Sequence, residues 1–258
     1  MSGKGKNAID MTGGSLWKNI LVFSLPLMMT QMLEVLFNLS DVAIAGKYAD
    51  YIALGAVGST ALLVSLFTGI LIGMGAGVNV RTAHQLGAEK TSGSSETVAR
   101  TVYSGLIVCL IIGIILCLVC NIFARPMLET LKTKDELIES AVLYLKIYAL
   151  GMPAMAVYNF GNGVLSACGE TKKPLVYLSI AGVLNVILNI FFVVVCKKAA
   201  DGVAIASVIA QYLSASMIMC HLLRRKDSCK LRLSNKYFDT SACGGCLLYT
   251  SPSPRDCS

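Results

Sequence analysis

Long apolar stretches alternate with short polar segments along almost the whole chain. Each of six stretches supplies about 20 or more mostly apolar residues, the length of helix that crosses a bilayer. They span Asn19–Ala45, Ile52–Val80, Thr97–Phe123, Leu137–Val164, Leu175–Cys196 and Gly202–Leu223. The pattern therefore predicts an all-α membrane protein with six transmembrane helices.

Prolines refine this prediction. Pro26 and Pro153 lie inside the first and fourth stretches, where a proline removes a backbone hydrogen bond and bends a helix. Pro174 begins the fifth stretch, a position at which proline suits a helix start. The first, second and fourth stretches exceed the minimum length, which indicates tilted or bent helices.

Composition excludes a soluble or disordered chain. Hydrophobic residues make up 55% of the 258 residues and charged residues 14%, with a mean hydropathy of +0.68. Soluble domains carry roughly 25% charged residues. The net charge of +7 does not indicate a nucleic-acid partner, because Lys and Arg form short clusters between apolar runs.

The position of basic residues predicts the orientation. Lys and Arg are concentrated on the side of the membrane that holds both ends of the six-helix unit, and such residues favour the cytoplasm. We therefore expect a multi-pass protein of the plasma (inner) membrane, with the amino terminus and the residues after 223 cytoplasmic. The basic positions on that side are Lys4, Lys6, Lys18, Arg81, Lys90, Arg100, Lys172, Lys173, Arg224, Arg225, Lys226, Lys230, Arg232 and Lys236.

Most cysteines are interpreted as packing residues. Buried free cysteine behaves as a small hydrophobic residue, and five lie within apolar runs. Cys243-Gly-Gly-Cys246 has zinc-ligand spacing, but a zinc site needs a second pair or a histidine, so we expect no metal centre. The five cysteines in apolar runs are Cys109, Cys117, Cys120, Cys196 and Cys220.

The last residues differ abruptly from the rest. The segment from Cys246 to Asp256 resembles the translation of a transposon-derived sequencing adapter. We interpret residues 1–18 as a cytoplasmic amino terminus, 19–223 as a six-helix lobe, 224–245 as a basic cytoplasmic linker between lobes, and 246–258 as a non-native tail. The natural protein is then expected to continue beyond residue 245.

Two acids lie at membrane depth in the first stretch. An intramembrane carboxylate is costly, so it usually faces a bundle interior or a water-filled pathway. Asp41 and Glu34 are seven residues apart and share one helix face. Asn38 and Gln31 extend that face, which favours a water-lined cavity over simple helix-helix hydrogen bonding.

Pairs of uncharged polar residues also occur within the later apolar stretches. Asn185 and Asn189 are four residues apart, as are Ser207 and Gln211, and Asn159 lies with Asn162 in the fourth stretch. Each pair alone is consistent with a bond between helices. Together with Asp41 they predict an oxygen-rich pocket that suits a cation or a carboxylate that holds a proton.

Glycines and histidines carry no catalytic motif. Gly69, Gly73 and Gly77 recur every four residues, which predicts close approach of two helices. Gly73-Met-Gly-Ala-Gly77 lies within an apolar helix and is not a dinucleotide loop. Both histidines, His84 and His221, fall at helix ends, and HExxH, GxSxG and P-loop patterns are absent from the sequence. We therefore expect a protein that is not an enzyme.

The order of several short motifs resembles the start of the multidrug and toxic compound extrusion (MATE) transporters. The similarity runs from about residue 16 to 239. It rests on Leu25-Pro-Leu-Met, Phe37-Asn-Leu-Ser-Asp41, Gly46, Ala53-Leu-Gly-Ala-Val-Gly58, Gly73-Met-Gly-Ala-Gly77, Gln85-Leu-Gly-Ala88, Tyr144-Leu-Lys-Ile-Tyr148, Gly169-Glu-Thr-Lys-Lys-Pro174 and Gly182-Val-Leu-Asn-Val-Ile-Leu-Asn189.

The resemblance implies one six-helix lobe of a twelve-helix transporter. Asp41, Asn185, Asn189 and Ser207 match positions that form the cation or proton site of the amino-terminal lobe in relatives, which makes Na⁺ one expected occupant. Relatives carry an acid where this chain has Asn189, so the site loses a carboxylate and sodium binding should weaken. Glu34 stands where relatives often have Gln. The substrate cavity is expected at Glu34, Asn38, Gln31, Asn159 and Gln211.

The implied function is secondary active efflux of cationic or lipophilic compounds in exchange for H⁺ or Na⁺, with no further cofactor. Expected partners are the lipid bilayer, small cationic organic substrates and a carboxy-terminal lobe of the same chain, with no nucleic acid. The main competing interpretation is a flippase or exporter of a lipid-linked precursor, which would need a cationic cavity. Outside transport, an integral membrane enzyme and a structural subunit compete with this interpretation.

Overall fold

The computed structural model describes residues 16–92 and 95–232, and its regular structure is helical throughout that part of the chain. A π-helical turn, Phe191–Val195, continues the sixth helix. The helices are α1 (Leu16–Tyr48), α2 (Tyr51–Ser92), α3 (Ser95–Thr130), α4 (Asp135–Ala149), α5 (Met152–Ala167), α6 (Lys172–Ile190) and α7 (Ala200–Arg224).

The predicted all-α fold class is confirmed. In the described part of the chain, five helices are long and apolar enough to cross a membrane, and α4 with α5, bent by 45° relative to each other, meets the same criterion as a pair, which gives up to six spans. The break falls at Leu150 and Gly151, just before Pro153, which occupies the first turn of α5. A proline fits there because the first residues of a helix need no intrahelical donor. Pro174 lies in the first turn of α6, also as predicted, while α1 continues through Pro26.

Helix packing brings α2 against α5 at the centre of the bundle, and glycine permits the close contact. A Cβ on Gly75 would lie 2.6 Å from the backbone oxygen of Asn159, and one on Gly163 would meet the backbone of Gly75. The prediction that Gly69 contributes to such an approach is wrong, because no atom of another described helix lies within 4 Å of its Cβ position. Gly69 lies on a different part of the α2 surface from Gly75.

The remaining helices enclose a space inside the bundle. Helix α1 packs chiefly on α6, α6 packs on α7, and α4 packs on both α2 and α7. These contacts place the inward face of α1, which carries Glu34 and Asp41, opposite α6 and α7. The polar pairs on α6 and α7 therefore meet the acids of α1.

A short segment after α7, residues 225–231, turns back along the bundle and is called here the return segment. The backbone nitrogen of Leu231 donates to the oxygen of Leu222 at 3.3 Å, and Leu231 is buried. Ser228 donates to Glu89 at 2.6 Å, which ties the segment to α2. The return segment is thus part of the packed lobe.

A disulfide joins Cys229 of the return segment to Cys168 after α5. This pair was not predicted, because the two cysteines are 61 residues apart and neither stands in a pairing motif. Of the five cysteines in apolar runs, Cys109 and Cys120 are buried within the bundle, Cys117 is half-buried, and Cys196 and Cys220 are exposed on its outer surface. Cys243 and Cys246 lie outside the described residues.

Candidate cation and substrate site

Asp41 lies at the centre of the buried polar group. Its side chain is buried between α1, α6 and α7, with 4% of its surface exposed. Ser207 Oγ donates to Asp41 Oδ2 at 2.8 Å, and Asn189 Nδ2 donates to Asp41 Oδ1 at 2.6 Å. Both carboxylate oxygens therefore accept a hydrogen bond from a neutral donor.

Asn185 completes the group in either orientation of its amide. In one, its oxygen accepts from Asn189 Nδ2 at 3.2 Å and its nitrogen donates to Ser207 Oγ at 3.2 Å. In the other, its nitrogen donates to Asp41 Oδ1 at 3.1 Å and its oxygen accepts from the backbone nitrogen of Ser207 at 3.3 Å. In the second orientation the amide nitrogen also faces the Asn189 nitrogen, 3.2 Å away, so the bond to Asp41 replaces the bond from Asn189.

The structure brings together all four residues predicted as the ion-coupling site. The bonds to Asp41 join positions 148 and 166 residues apart in sequence. Hydrogen bonds from neutral donors favour the ionised form of a buried carboxylate. The Oδ1 atom of Asn189 is buried without a partner, so the group retains one unused acceptor beside Asp41. Their role in coupling stays a prediction.

A cavity of about 80 Å³ opens beside this group. Drug-sized molecules occupy pockets of roughly 300–1,000 Å³, so the cavity suits a head group better than a whole drug. Among the described residues, the side chains that line it include no Lys, Arg or His. The lining residues that were predicted are Glu34, Asn38, Asp41, Asn185, Ser207 and Gln211.

Glu34 and Asp41 line the same cavity, as their seven-residue spacing predicts. Glu34 Oε2 is buried and has no hydrogen-bond partner. Thr68 Oγ1 on α2 also lines the cavity, where it hydrogen-bonds the Tyr148 side chain. The Glu34 end of the cavity therefore differs from the Asp41 end, where donors surround the carboxylate.

Two residues predicted for the substrate cavity lie elsewhere. Gln31 is exposed and does not line the cavity. It precedes Asp41 by ten residues, which rotates it roughly 80° away around a helix of 3.6 residues per turn. Asn159 is buried, but it donates to Met155 within α5 and contacts Gly75 instead of the cavity. The prediction that Gln31 and Asn159 line the cavity is therefore wrong.

Hydroxyl side chains in the cavity wall were missed from sequence. Thr68, Tyr148, Tyr158 and Ser214 line the cavity beside the predicted residues. The Tyr158 hydroxyl donates to the Pro174 oxygen at 3.1 Å, which fixes its ring between α5 and α6. Threonine, serine and tyrosine are common in apolar helices, so no sequence signal separated these from ordinary packing residues.

A second polar cluster holds the return segment against α5 and α6. Glu170 Oε2 lies 3.0 Å from Lys173 Nζ, 3.3 Å from Arg225 Nη1 and 3.4 Å from His221 Nε2. Burial by itself raises the pKa of Glu170, but the Lys173 hydrogen bond and the charges of Arg225, Lys173 and His221 outweigh it and lower the pKa. Arg225 also pairs with Asp227.

Comparison with known proteins assigns the family. The MatE family model matches residues 26–191. The chain belongs to the MatE family. This confirms the resemblance found in the sequence and the fold class expected from it. The chain is accordingly a multi-pass membrane protein of a transporter family and not an enzyme.

Individual relatives place the chain more closely. It is 27% identical over 221 residues to the probable multidrug resistance protein YpnP of Bacillus subtilis, covering 85% of this chain and 48% of that protein. An outward-facing multidrug resistance MATE family transporter of the MOP superfamily matches with a TM-score of 0.82 and 22% identity, over 96% of this chain and 54% of that chain.

A MOP superfamily transporter from Pyrococcus furiosus, described as having a binding pocket of reversed polarity, matches with a TM-score of 0.80 and 21% identity. The match covers 90% of this chain and 51% of that chain. The chain thus spans about half the length of the relatives it matches. In extent it corresponds to one lobe of a two-lobe transporter.

Proposed function

We propose that the chain forms the amino-terminal lobe of a secondary active antiporter, which exports cationic or lipophilic compounds in exchange for H⁺ or Na⁺. The observation that carries this proposal is the buried Asp41 carboxylate, held by neutral donors from α6 and α7 beside an acid-lined cavity. Names of relatives such as YpnP support multidrug efflux as the general activity.

Ion binding at Asp41 would bias the lobe between two conformations. With the carboxylate ionised, Ser207 and Asn189 donate to it and join α1 to α7 and α6. A proton or Na⁺ on Asp41 neutralises the charge that these donors favour. The hydrogen bonds that join α1 to α6 and α7 are then weaker, and this arrangement of the three helices is less stable. A ligand shifts a conformational equilibrium by its difference in affinity for the two states, and bending of α1 at Pro26 is one way to express the shift.

The negative charge of the cavity explains how a cationic compound could be exchanged for the coupling ion. A cationic compound near Glu34 and Asp41 and a coupling ion on Asp41 both neutralise negative charge in a poorly hydrated space. Adding one therefore weakens attraction for the other, which is the physical requirement for antiport. The second lobe, the inner-membrane location and the cytoplasmic position of both ends of the six-helix unit belong to the same proposal.

The cavity charge disfavours the flippase interpretation. A lipid-linked precursor with a pyrophosphate would need basic side chains to bind its negative charge. The residues that line the described cavity include two acids and no Lys, Arg or His. We accordingly favour cationic cargo.

Ethidium efflux tests the proposal. Cells that express the complete gene are loaded with ethidium, and efflux is followed by fluorescence with a proton gradient, a sodium gradient or neither. The proposal expects efflux that stops when the driving gradient is removed. Efflux equal to that of cells without the gene would contradict it, whichever gradient is present.

A further inference from the structure

The Cys168–Cys229 disulfide lies at the end of the bundle that the distribution of basic residues assigns to the cytoplasm. Cys168 follows α5 directly, and Cys229 lies in the return segment. Lys172, Lys226 and Lys230 are within four residues of one of these cysteines, and such residues favour the cytoplasmic side. The cytoplasm keeps thiols reduced, and the disulfides found there are usually transient or redox-sensing. The bond and its location therefore agree when the bond is reversible.

The two bonded cysteines differ in their access to solvent. Cys168 is half-buried, whereas Cys229 has only 2% of its surface exposed. A small thiol or disulfide in solution therefore reaches Cys168 first, and Cys229 lies within bonding reach behind it. Redox-sensitive pairs commonly combine an accessible cysteine with a resolving cysteine in this way. The structure thus assigns the first step of exchange to Cys168 and the second to Cys229.

We propose that Cys168 and Cys229 form a reversible redox latch, which fixes the return segment to the α5–α6 connection under oxidising conditions and releases it under reducing ones. The oxidant is a low-molecular-weight disulfide. The Cys168 thiolate attacks one of its sulfurs and releases one small thiol, which leaves a mixed disulfide on Cys168. The Cys229 thiolate then attacks the Cys168 sulfur and releases the second small thiol. The two cysteines lose two electrons and two protons, and the small disulfide gains them.

The latch acts where the chain leaves the six-helix lobe. Noncovalent contacts also hold the return segment, since Arg225 pairs with Glu170 and Ser228 donates to Glu89. Such contacts break and reform in local openings, whereas a covalent bond persists through them. Reduction therefore leaves a segment that is still docked but opens more often. The inference rests on the proposed function, because the cytoplasmic placement and the second lobe belong to that proposal, and it adds a regulation of the same transporter.

The first test measures the state of the bond in cells that express the 258-residue chain. Cells are quenched with acid, and free thiols are blocked with N-ethylmaleimide in denaturant. The sample is then reduced and labelled with deuterated N-ethylmaleimide, so that mass spectrometry gives the oxidised fraction at Cys168 and Cys229. Cells are compared before and after diamide, which converts small thiols into disulfides. The variant is Cys168→Ser, and Cys220→Ser, which removes an exposed cysteine of α7, is the matched control.

We expect Cys168 and Cys229 to be mainly reduced before diamide, and the oxidised fraction of both to rise at least about fivefold after it. Non-reducing digests should then contain the two cysteines in one linked peptide pair, which dithiothreitol separates. Cys168→Ser should leave Cys229 reduced under both conditions, and Cys220→Ser should behave as the wild type. A wild-type bond that is complete before diamide, a bond that is absent after it, or oxidation of Cys229 that persists in Cys168→Ser would overturn the proposal.

Hydrogen exchange measures whether the bond restrains the return segment. The purified chain in lipid nanodiscs is equilibrated with reduced or oxidised glutathione, and exchange is followed in peptides from residues 225–231. We expect exchange in the wild type to be about tenfold slower in the oxidised chain than in the reduced chain, because local opening is restrained. In Cys168→Ser the two conditions should give equal rates. Equal rates in a wild-type chain whose bond has formed would overturn its role as a latch.

Latch and transport results remain separable in this design. If the bond responds to diamide and slows exchange, but ethidium efflux is absent from cells with the complete gene, the latch stands and the antiporter proposal fails. If efflux responds to the ion gradient, but the bond between Cys168 and Cys229 is permanent or never forms, the antiporter proposal stands and the latch is wrong.

Discussion

Asn189 determines the chemistry beside Asp41. Its amide nitrogen lies 2.6 Å from the carboxylate, where it donates a hydrogen bond that an ionised acid could not give. Hard cations prefer oxygen ligands and gain affinity from charged ones. The group around Asp41 therefore offers a sodium ion one charged ligand and several neutral groups, fewer charges than two acids would supply.

Asn189→Asp should create sodium dependence. Two carboxylates at hydrogen-bond distance repel one another unless a cation or proton lies between them. We expect replacement of choline chloride by NaCl, at constant ionic strength and about pH 7, to raise the melting temperature of the variant more than that of the wild type. The control is Asn121→Asp, since Asn121 bonds to Cys117 within α3. An equal sodium response in wild type and Asn189→Asp would contradict this account.

Glycine controls the contact between α2 and α5. Adding a methyl group at Gly75 brings it within 2.6 Å of a backbone oxygen that cannot move aside cheaply, whereas Gly69 faces open space. Overpacking of this kind costs about 1–3 kcal/mol. Gly75→Ala should therefore lower the free energy of unfolding by that amount, and Gly69→Ala should change it by less than about 0.5 kcal/mol.

Reversible unfolding by SDS in mixed micelles measures both glycine variants. The pair is matched because each adds one methyl group to the same helix. Comparable losses of stability in the two variants would contradict this account, because alanine favours a helix over glycine and, of the two glycines, only Gly75 lies at the α2–α5 contact.

The Glu170 cluster should make attachment of the return segment pH-dependent. The pKa of Glu170 is lowered by Lys173, Arg225 and His221, which together outweigh the effect of burial. A lowered folded pKa means that the stabilisation is fully present above the ordinary value of 4.5 and is lost as the pH falls through the folded pKa. Glu170→Gln should cost about 1.5–3 kcal/mol at pH 7, and the difference from wild type should vanish in strong acid.

Urea or SDS unfolding between about pH 3 and pH 7 measures this difference. Glu139→Gln is the control, because Glu139 pairs with Arg125 at side chains 75% and 48% exposed, and exposed pairs contribute about 0–1 kcal/mol. A loss from Glu170→Gln that stays constant across this pH range would show that the charges of this cluster do not hold the return segment.

At the scale of the molecule, local sequence patterns predicted the elements better than the contacts. Apolar length identified six spans, and Pro153 marked the break in the fourth. Helix periodicity also put Glu34 and Asp41 on one face, but Gln31 was assigned to that face although ten residues rotate it away. Such an error concerns the angular position of a residue around the helix axis, and it can be corrected from sequence alone.

Contacts between residues distant in sequence could not be predicted from such local patterns. The bond from Asn189 to Asp41 joins α6 to α1. The polar pairs predicted a shared pocket and the family resemblance a shared ion site, but neither predicted this particular contact. Thr68 and the Cys168–Cys229 disulfide carried no signal at all, because each depends on how whole helices pack. Packing is set by the sum of many weak contacts, which a linear pattern does not contain.

The central claim is that Asp41 couples ion binding to export. The most direct measurement is ethidium efflux by cells expressing the complete gene with Asp41→Asn, compared with wild type at equal membrane expression. Asp50→Asn is the control, since Asp50 accepts a hydrogen bond from Ala53 at the start of α2 and Asn can replace it there. The account predicts that Asp41→Asn abolishes gradient-driven efflux while Asp50→Asn retains it. Gradient-driven efflux at the wild-type rate in Asp41→Asn would contradict the account.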